Sequence, residues 1–151
     1  MTEKIVPNCC FITPHQTFEV RHPVLRKGKP LETCRFEGDE DPASFHLGIF
    51  ESEKLVAVAS FLNCQNPNFE GVQMQLRGMA VLPEYRGRDF GETLYLTGLS
   101  LLKERKIDLL WFNAREVAKD FYEKYKAQIF GDPFWIPEIG KHYLMYHKLT
   151  P

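Results

Sequence analysis

LRGMAVLPEYRGRDFG, residues 76–91, decides the fold. Its first half alternates in polarity and then turns continuously apolar at Met79-Ala80-Val81-Leu82, as a strand does when it passes from one buried face to two. Pro83 ends that strand. Arg86-Gly87-Arg88-Asp89-Phe90-Gly91 then makes a short basic turn that feeds a helix. Phe90, Leu94, Leu101 and Leu102 recur at helical spacing from Asp89 to Arg105, with Lys103, Arg105 and Lys106 near the C-terminal end. Gly98 lies on the same stripe, where glycine costs about 1 kcal/mol relative to alanine. Close packing of the helix backbone on a sheet accounts for it.

A glycine-containing turn at a helix N-terminus suits an anion. The first-turn N–H groups have no intrahelical partners and the helix dipole adds partial positive charge, so main chain alone can hold a diphosphate. Arg86 and Arg88 add charge, and Gly87 and Gly91 allow close approach. An Arg-Gly-Arg by itself is also an ordinary solvated turn. The chain has no GxGxxG after an early strand and no GxxxxGK followed by Ser or Thr, which excludes the dinucleotide and P-loop architectures.

Downstream, Asp108–Asn113 is a short buried strand. Glu116–Lys126 is an amphipathic helix with Val117, Phe121 and Tyr125 on one stripe, and Tyr143–Leu149 is a closing strand. Upstream, Ser44–Glu51 and Lys54–Cys64 form a hairpin about Ser52-Glu53, with His46, Gly48 and Phe50 on one face. Arg26–Pro42 is an irregular loop, Cys9–Ile12 a strand, and Thr13-Pro14 starts a helix running to about Leu25 unless Pro23 ends it early. Strands early and strand-helix-strand-helix late give an α/β fold: a mixed sheet with helices on both faces, within a single domain over residues 1–151.

The composition agrees: 151 residues, 44% hydrophobic and 26% charged, support one core without disulfide or metal staples. A net charge of −1 argues against a general nucleic-acid or membrane binder. No apolar run approaches the roughly 20 residues of a membrane span. No apolar segment follows Met1-Thr2-Glu3-Lys4, so a soluble, cytoplasmic protein is expected. Cys9, Cys10, Cys34 and Cys64 form no CxxC pair and are read as free, mostly buried thiols, and no metal is expected.

The turn and its flanks resemble the GNAT superfamily of acetyl-CoA-dependent N-acetyltransferases. That family's signature, Arg/Gln-x-x-Gly-x-Gly/Ala, reads here as Arg86-Gly87-Arg88-Asp89-Phe90-Gly91. Leu76–Gly87 is similar to its central strand and the run into the pyrophosphate loop. Asn113 with Ala118–Lys124 resembles its downstream acyl-CoA motif. The similarity runs from Phe45 to Leu149, and the N-terminal third corresponds to the variable acceptor-binding half. Asp89 stands where the family usually has the first glycine of a pair. Lys126-Ala127-Gln128-Ile129-Phe130 replaces its frequent Gly-Phe. Asp89 is expected to cap the helix with its carboxylate turned from the phosphates.

The resemblance implies a mostly antiparallel central sheet flanked by helices, and acetyl-CoA as cosubstrate. It assigns Met79, Ala80, Val81, Arg86, Gly87, Arg88, Asp89, Phe90, Gly91 and Asn113 to cofactor binding. A bulge in the central strand would free main-chain N–H groups around Met79–Val81 for the thioester oxygen. Tyr122, at the family's tyrosine position, would protonate the departing thiolate, with phenol and thiol taken near pKa 10 and 8.5; Tyr125 is the second candidate. Residue types alone favour reading Phe121-Tyr122 as aromatic packing on a helix face. The acceptor would be a primary amine of a small molecule or peptide. Glu70 and Glu84 are candidate bases, and Asp39, Glu40 and Asp41 are candidates to attract a polyamine-like or lysine-like amine. A homodimer is compatible with exposed sheet edges. The alternative is a catalytically silent acyl-CoA-binding or interaction domain.

Overall fold

The computed structural model describes residues 4–6 and 8–150; Met1-Thr2-Glu3 lies outside them. The elements run β1 (Lys4–Val6), β2 (Cys9–Ile12), α1 (Phe18–Leu25), β3 (Phe45–Glu51), β4 (Lys54–Leu62), β5 (Gln73–Val81), α2 (Phe90–Glu104), β6 (Leu109–Arg115), α3 (Glu116–Lys124), β7 (Gln128–Ile129), β8 (Phe134–Ile136) and β9 (Gly140–Lys148). The sheet order is β1-β2-β3-β4-β5-β6-β9-β7, with β8 paired to β9. Among the described residues β5–β6 is parallel and every other pair antiparallel, so the sheet is mixed and mostly antiparallel as expected.

Local chemistry explains most of these elements. Ser52 and Glu53 have φ of 47° and 69°, the two left-handed positions that a tight hairpin turn requires between β3 and β4. Thr13 and Gln16 exchange backbone-to-side-chain hydrogen bonds of 2.8 and 3.2 Å, a reciprocal cap that starts a 3₁₀ turn leading into α1. Pro23 does not end α1 early, because the Arg26 N–H still reaches the Arg21 and His22 carbonyls. In α3 the expected stripe is displaced: Val117 is 90% exposed, and Tyr122 is buried with Ala118, Phe121 and Tyr125 beside it. That helix stops at Lys124, and Lys126, at φ 76°, takes the left-handed closing position where glycine is usual.

Neighbouring residues on β4 place helices on both faces of the sheet. Ser60 meets Arg21 of α1, whereas Phe61 meets α2 at Gly98. A Cβ on Gly98 would stand 2.0 Å from Phe61 Cζ, so the glycine lets the helix backbone settle on the ring. α3 joins the α2 face, with Tyr122 5.3 Å from the Tyr95 ring.

On the α1 face lies a fully buried cation. Arg21 donates to Asp39 through both terminal nitrogens at 2.6 and 2.9 Å, to the Cys34 carbonyl at 2.7 Å and to Ser60 Oγ at 2.7 Å. His46 closes the network on Ser60 Oγ at 2.6 Å and on the Asp39 carbonyl at 3.0 Å. The Arg26–Pro42 loop is therefore pinned to the sheet. This corrects the reading of its acidic run as an amine attractor. Asp39 is buried against Arg21, and Asp41 is occupied by the Ala43 N–H and the Asn63 amide. Burial would raise the Asp39 carboxyl, but Arg21 and the Phe36 N–H outweigh it and hold the carboxyl below the usual carboxylate range.

Asp39→Asn, which leaves Arg21 buried and unpaired, is expected to destabilise the protein by about 3–5 kcal/mol, and Glu40→Gln to change stability by less than about 0.5 kcal/mol. Chemical denaturation checks both. Because the folded-state pKa of Asp39 is lowered, its stabilisation is present above the ordinary carboxylate pKa and is lost as pH falls through the lowered value.

Candidate active site

The site begins where β5 departs from regular pairing. Val58 pairs with Ala80 but Ser60 pairs with Arg77, so β5 carries one extra residue at Gly78-Met79. Gly78 has φ 67°, and a Cβ there would lie 2.9 Å from Phe36 Cε2 and 3.2 Å from Arg21 Nε. The expected bulge is present, seated on the buried arginine and its loop. Leu82 N–H donates to the Val56 carbonyl, so by strand alternation Ala80 faces β4 and Val81 presents its amide to the other side. Met79 and Val81, rather than Ala80, border the open side.

On that side β6 has left. It pairs with β5 only at Gln73↔Leu109, Met74↔Leu110 and Gln75↔Trp111, although both strands continue. β6 instead follows β9 along its whole length, from Leu109↔Lys148 to Arg115↔His142. The two parallel strands diverge into a wedge that opens a cavity of about 510 Å³. Gly78 and Met79 of β5, Asn113 and Arg115 of β6, Tyr122 of α3, Arg26 at the end of α1 and His142 of β9 lie on its walls.

Tyr122 packs among aromatic rings and also borders the wedge cavity. Its ring packs 4.3 Å from Phe112 and 5.1 Å from Phe121, and its hydroxyl reaches the cavity, donating weakly to Met79 Sδ at 3.9 Å. Burial pushes the phenol up to about 12, so it stays protonated at neutral pH but is further from a thiol in acidity than an exposed phenol. Tyr125 lies elsewhere: its hydroxyl donates to the Glu92 carboxylate, which raises its pKa to about 12.

A second cavity of about 260 Å³ lies beyond the end of β5. Val81, Arg86, Gly87, Asp89, Phe90 and Gly91 border it, with Glu92 and Lys124. The amides of residues 87–92 donate to no backbone group among the described residues. Gly87 has φ 82°, and a Cβ on it would meet nothing within 4 Å. Arg86 Nε donates to the Val81 carbonyl at 3.3 Å. Arg88 is turned away from the cavity, paired with Glu51 at 3.3 Å and lying over the Tyr85 ring.

Asp89 corrects an expectation. It occupies the N-cap with φ 61°, and its carboxylate makes no capping hydrogen bond; its carbonyl accepts from the Thr93 N–H and hydroxyl at 3.0 and 3.1 Å. Side-chain capping requires an extended N-cap backbone, and the left-handed conformation forgoes it, leaving the first-turn amides free. That conformation is also the physical reason for glycine at this position.

Glu70 and Glu84 are exposed and border neither cavity. His142 does. It is buried, and its Nδ1 lies 2.8 Å from the Gly140 carbonyl, which can only accept and so assigns a proton to Nδ1; in the neutral ring Nε2 is then the acceptor. The sequence-based strand begins at Tyr143, one residue too late to include it. The four cysteines are free thiols. Among the described residues no helix is long and apolar enough to cross a membrane, and no three His, Cys, Asp or Glu residues cluster as metal ligands.

The family model described as Acetyltransferase (GNAT) family matches residues 11–126, which extends the likeness into the N-terminal third. An uncharacterized N-acetyltransferase of Bacillus subtilis (strain 168), YitI, is 38% identical over 139 residues, covering 91% of this chain and 93% of its own. The ribosomal-protein-S18-alanine N-acetyltransferase of Escherichia coli superposes with a TM-score of 0.75 at 14% identity, covering 100% of this chain and 96% of its own. An aminoglycoside 6'-N-acetyltransferase solved with coenzyme A superposes with a TM-score of 0.71 at 13% identity, covering 91% of each chain.

Asp89→Gly is expected to stabilise the fold by about 1 kcal/mol through relief of the left-handed backbone, and Asp89→Asn, which tolerates that conformation equally, to leave it near neutral. Urea denaturation of the pair separates conformation from charge.

Proposed function

The chain belongs to the GNAT family of acetyltransferases, and we propose that it moves the acetyl group of acetyl-CoA to a primary amine of a small molecule or peptide by direct attack. One observation carries this reading. Two cavities flank a single strand, with Met79 on the first and Val81 on the second, so one extended ligand can lie along its open edge. The residues fit the coenzyme. Six consecutive free amides at the start of α2 and the open space over Gly87 suit a diphosphate, with Arg86 and Lys124 supplying positive charge. Main-chain groups of Met79 and Val81 suit an amide-bearing arm added as an extra strand.

Acetyl-CoA supplies the acetyl group as an activated thioester. His142 Nε2 takes a proton from the incoming ammonium and passes it to solvent, since an alkyl ammonium near pKa 10 has no lone pair. The freed nitrogen bonds to the carbonyl carbon as the C–S bond breaks, and the electron pair leaves on sulfur. Tyr122 gives that sulfur its proton and regains one from the new amide nitrogen. A main-chain N–H beside the bulge faces the carbonyl oxygen. Asn113 borders the same wedge from β6.

Tyr122→Phe is expected to lower kcat by about 10²-fold with little change in the affinity for acetyl-CoA. His142→Gln is expected to lose a similar factor at neutral pH and to recover as pH rises toward about 10, where the acceptor deprotonates in solution. Thiol-release kinetics and calorimetry read both. Heat of binding with no transfer to any amine would leave only an acyl-CoA-binding domain.

A further inference from the structure

The larger cavity carries a one-sided charge. Arg26, Arg77 and Arg115 line it together with His142, and none of its lining residues is Asp or Glu. Arg77 directly precedes the bulge, half-buried, with its guanidinium 4.1 Å from the centre of the Phe36 ring. Arg26 approaches the same ring at 5.3 Å. Arg26 donates to the Thr33 and Leu25 carbonyls, whereas Arg77 has no hydrogen-bond or ion-pair partner among the described residues. The nearby carboxylate that could have neutralised them, Asp39, is held by Arg21. Burial and the neighbouring Arg26 and Arg21 lower the Arg77 pKa, the direction expected of a cation without a counter-ion.

We infer, on the reading that this chain transfers acetyl groups, that its acceptor is an amine that also carries an acidic group, with a carboxylate or phosphate held by the Arg77 and Arg26 guanidinium groups. A planar guanidinium stacked on an aromatic ring keeps its N–H fork oriented, and such a fork binds carboxylate or phosphate through two parallel hydrogen bonds. A polyamine or a lysine side chain would instead bring like charge against the cavity's arginines, which reverses the preference expected from the acidic loop. Met79 lies two residues beyond Arg77, at most about 7 Å along the chain. The acid and the reacting amine therefore sit close together, in one small molecule or at one chain end.

The test compares acetyl transfer from acetyl-CoA to four amines of similar size: an α-amino acid, its primary amide, an aminoalkyl phosphate and a polyamine. At least one acidic amine is expected to exceed the amide by about 10- to 100-fold in kcat/KM, the range of one charge-assisted contact, and the carboxylate and phosphate arms identify the anion. Arg77→Gln is expected to collapse that ratio toward one, mainly through KM for the acid. Arg26→Gln probes the same ratio if the first variant folds poorly. Equal or better use of the amide or the polyamine by the unaltered protein would overturn the inference and leave acetyl transfer standing. Binding of acetyl-CoA with transfer to none of the four would overturn both.

Discussion

The requirement that a buried guanidinium be neutralised governs the centre of this molecule. Arg21 has no exposed surface, and removing either partner of such a pair leaves an uncompensated charge in the core. Asp39 and the Cys34 carbonyl, from the Arg26–Pro42 loop, and Ser60, from β4, meet that requirement. Among the described residues its Nε has no partner, and it lies against Gly78. The bulge in β5 thus rests on the one face of the arginine that the network does not cover. Since the bulge and the pull of β9 on β6 together open the wedge, α1, the loop and the sheet have to come together for the wedge cavity to exist.

The two cavities along β5 then divide the electrostatic work. Arg86 and Lys124 share the cavity at the start of α2 with Asp89 and Glu92, so the positive potential there comes largely from unpaired main-chain amides. The wedge cavity has the opposite character, with cationic side chains and no carboxylate. Tyr122 stands between an aromatic cluster that shields it from water and the wall it shares with Met79.

Much of this was legible in the residues because the signals are local. The apolar run ending at Leu82, the turn at Ser52-Glu53, the stripe of α2 and the glycine at position 98 each follow from periodicity or turn chemistry within a few residues. The stretch from Arg86 to Gly91 marked the turn into α2 through its resemblance to a family. The remainder depends on pairing over long distances. Nothing near Asp39 in the chain announces Arg21, 18 residues away, so an acidic run looked like surface. His142 joins the wedge only because β9 pairs with β6, and Arg77 becomes an unpaired cation only because Asp39 is taken. Asp89 was placed correctly at the start of α2 but assigned the wrong capping geometry, since its left-handed φ is a property of the turn.

The close seat of Gly98 on Phe61 has a mechanical meaning. Gly98 is seven residues from Gly91, about 10 Å along the helix axis. α2 is therefore set as a lever, with its fulcrum on the ring and its N-terminal end carrying the unpaired amides. A shim of one methyl group at the fulcrum would tilt that end and misalign the amides without touching them.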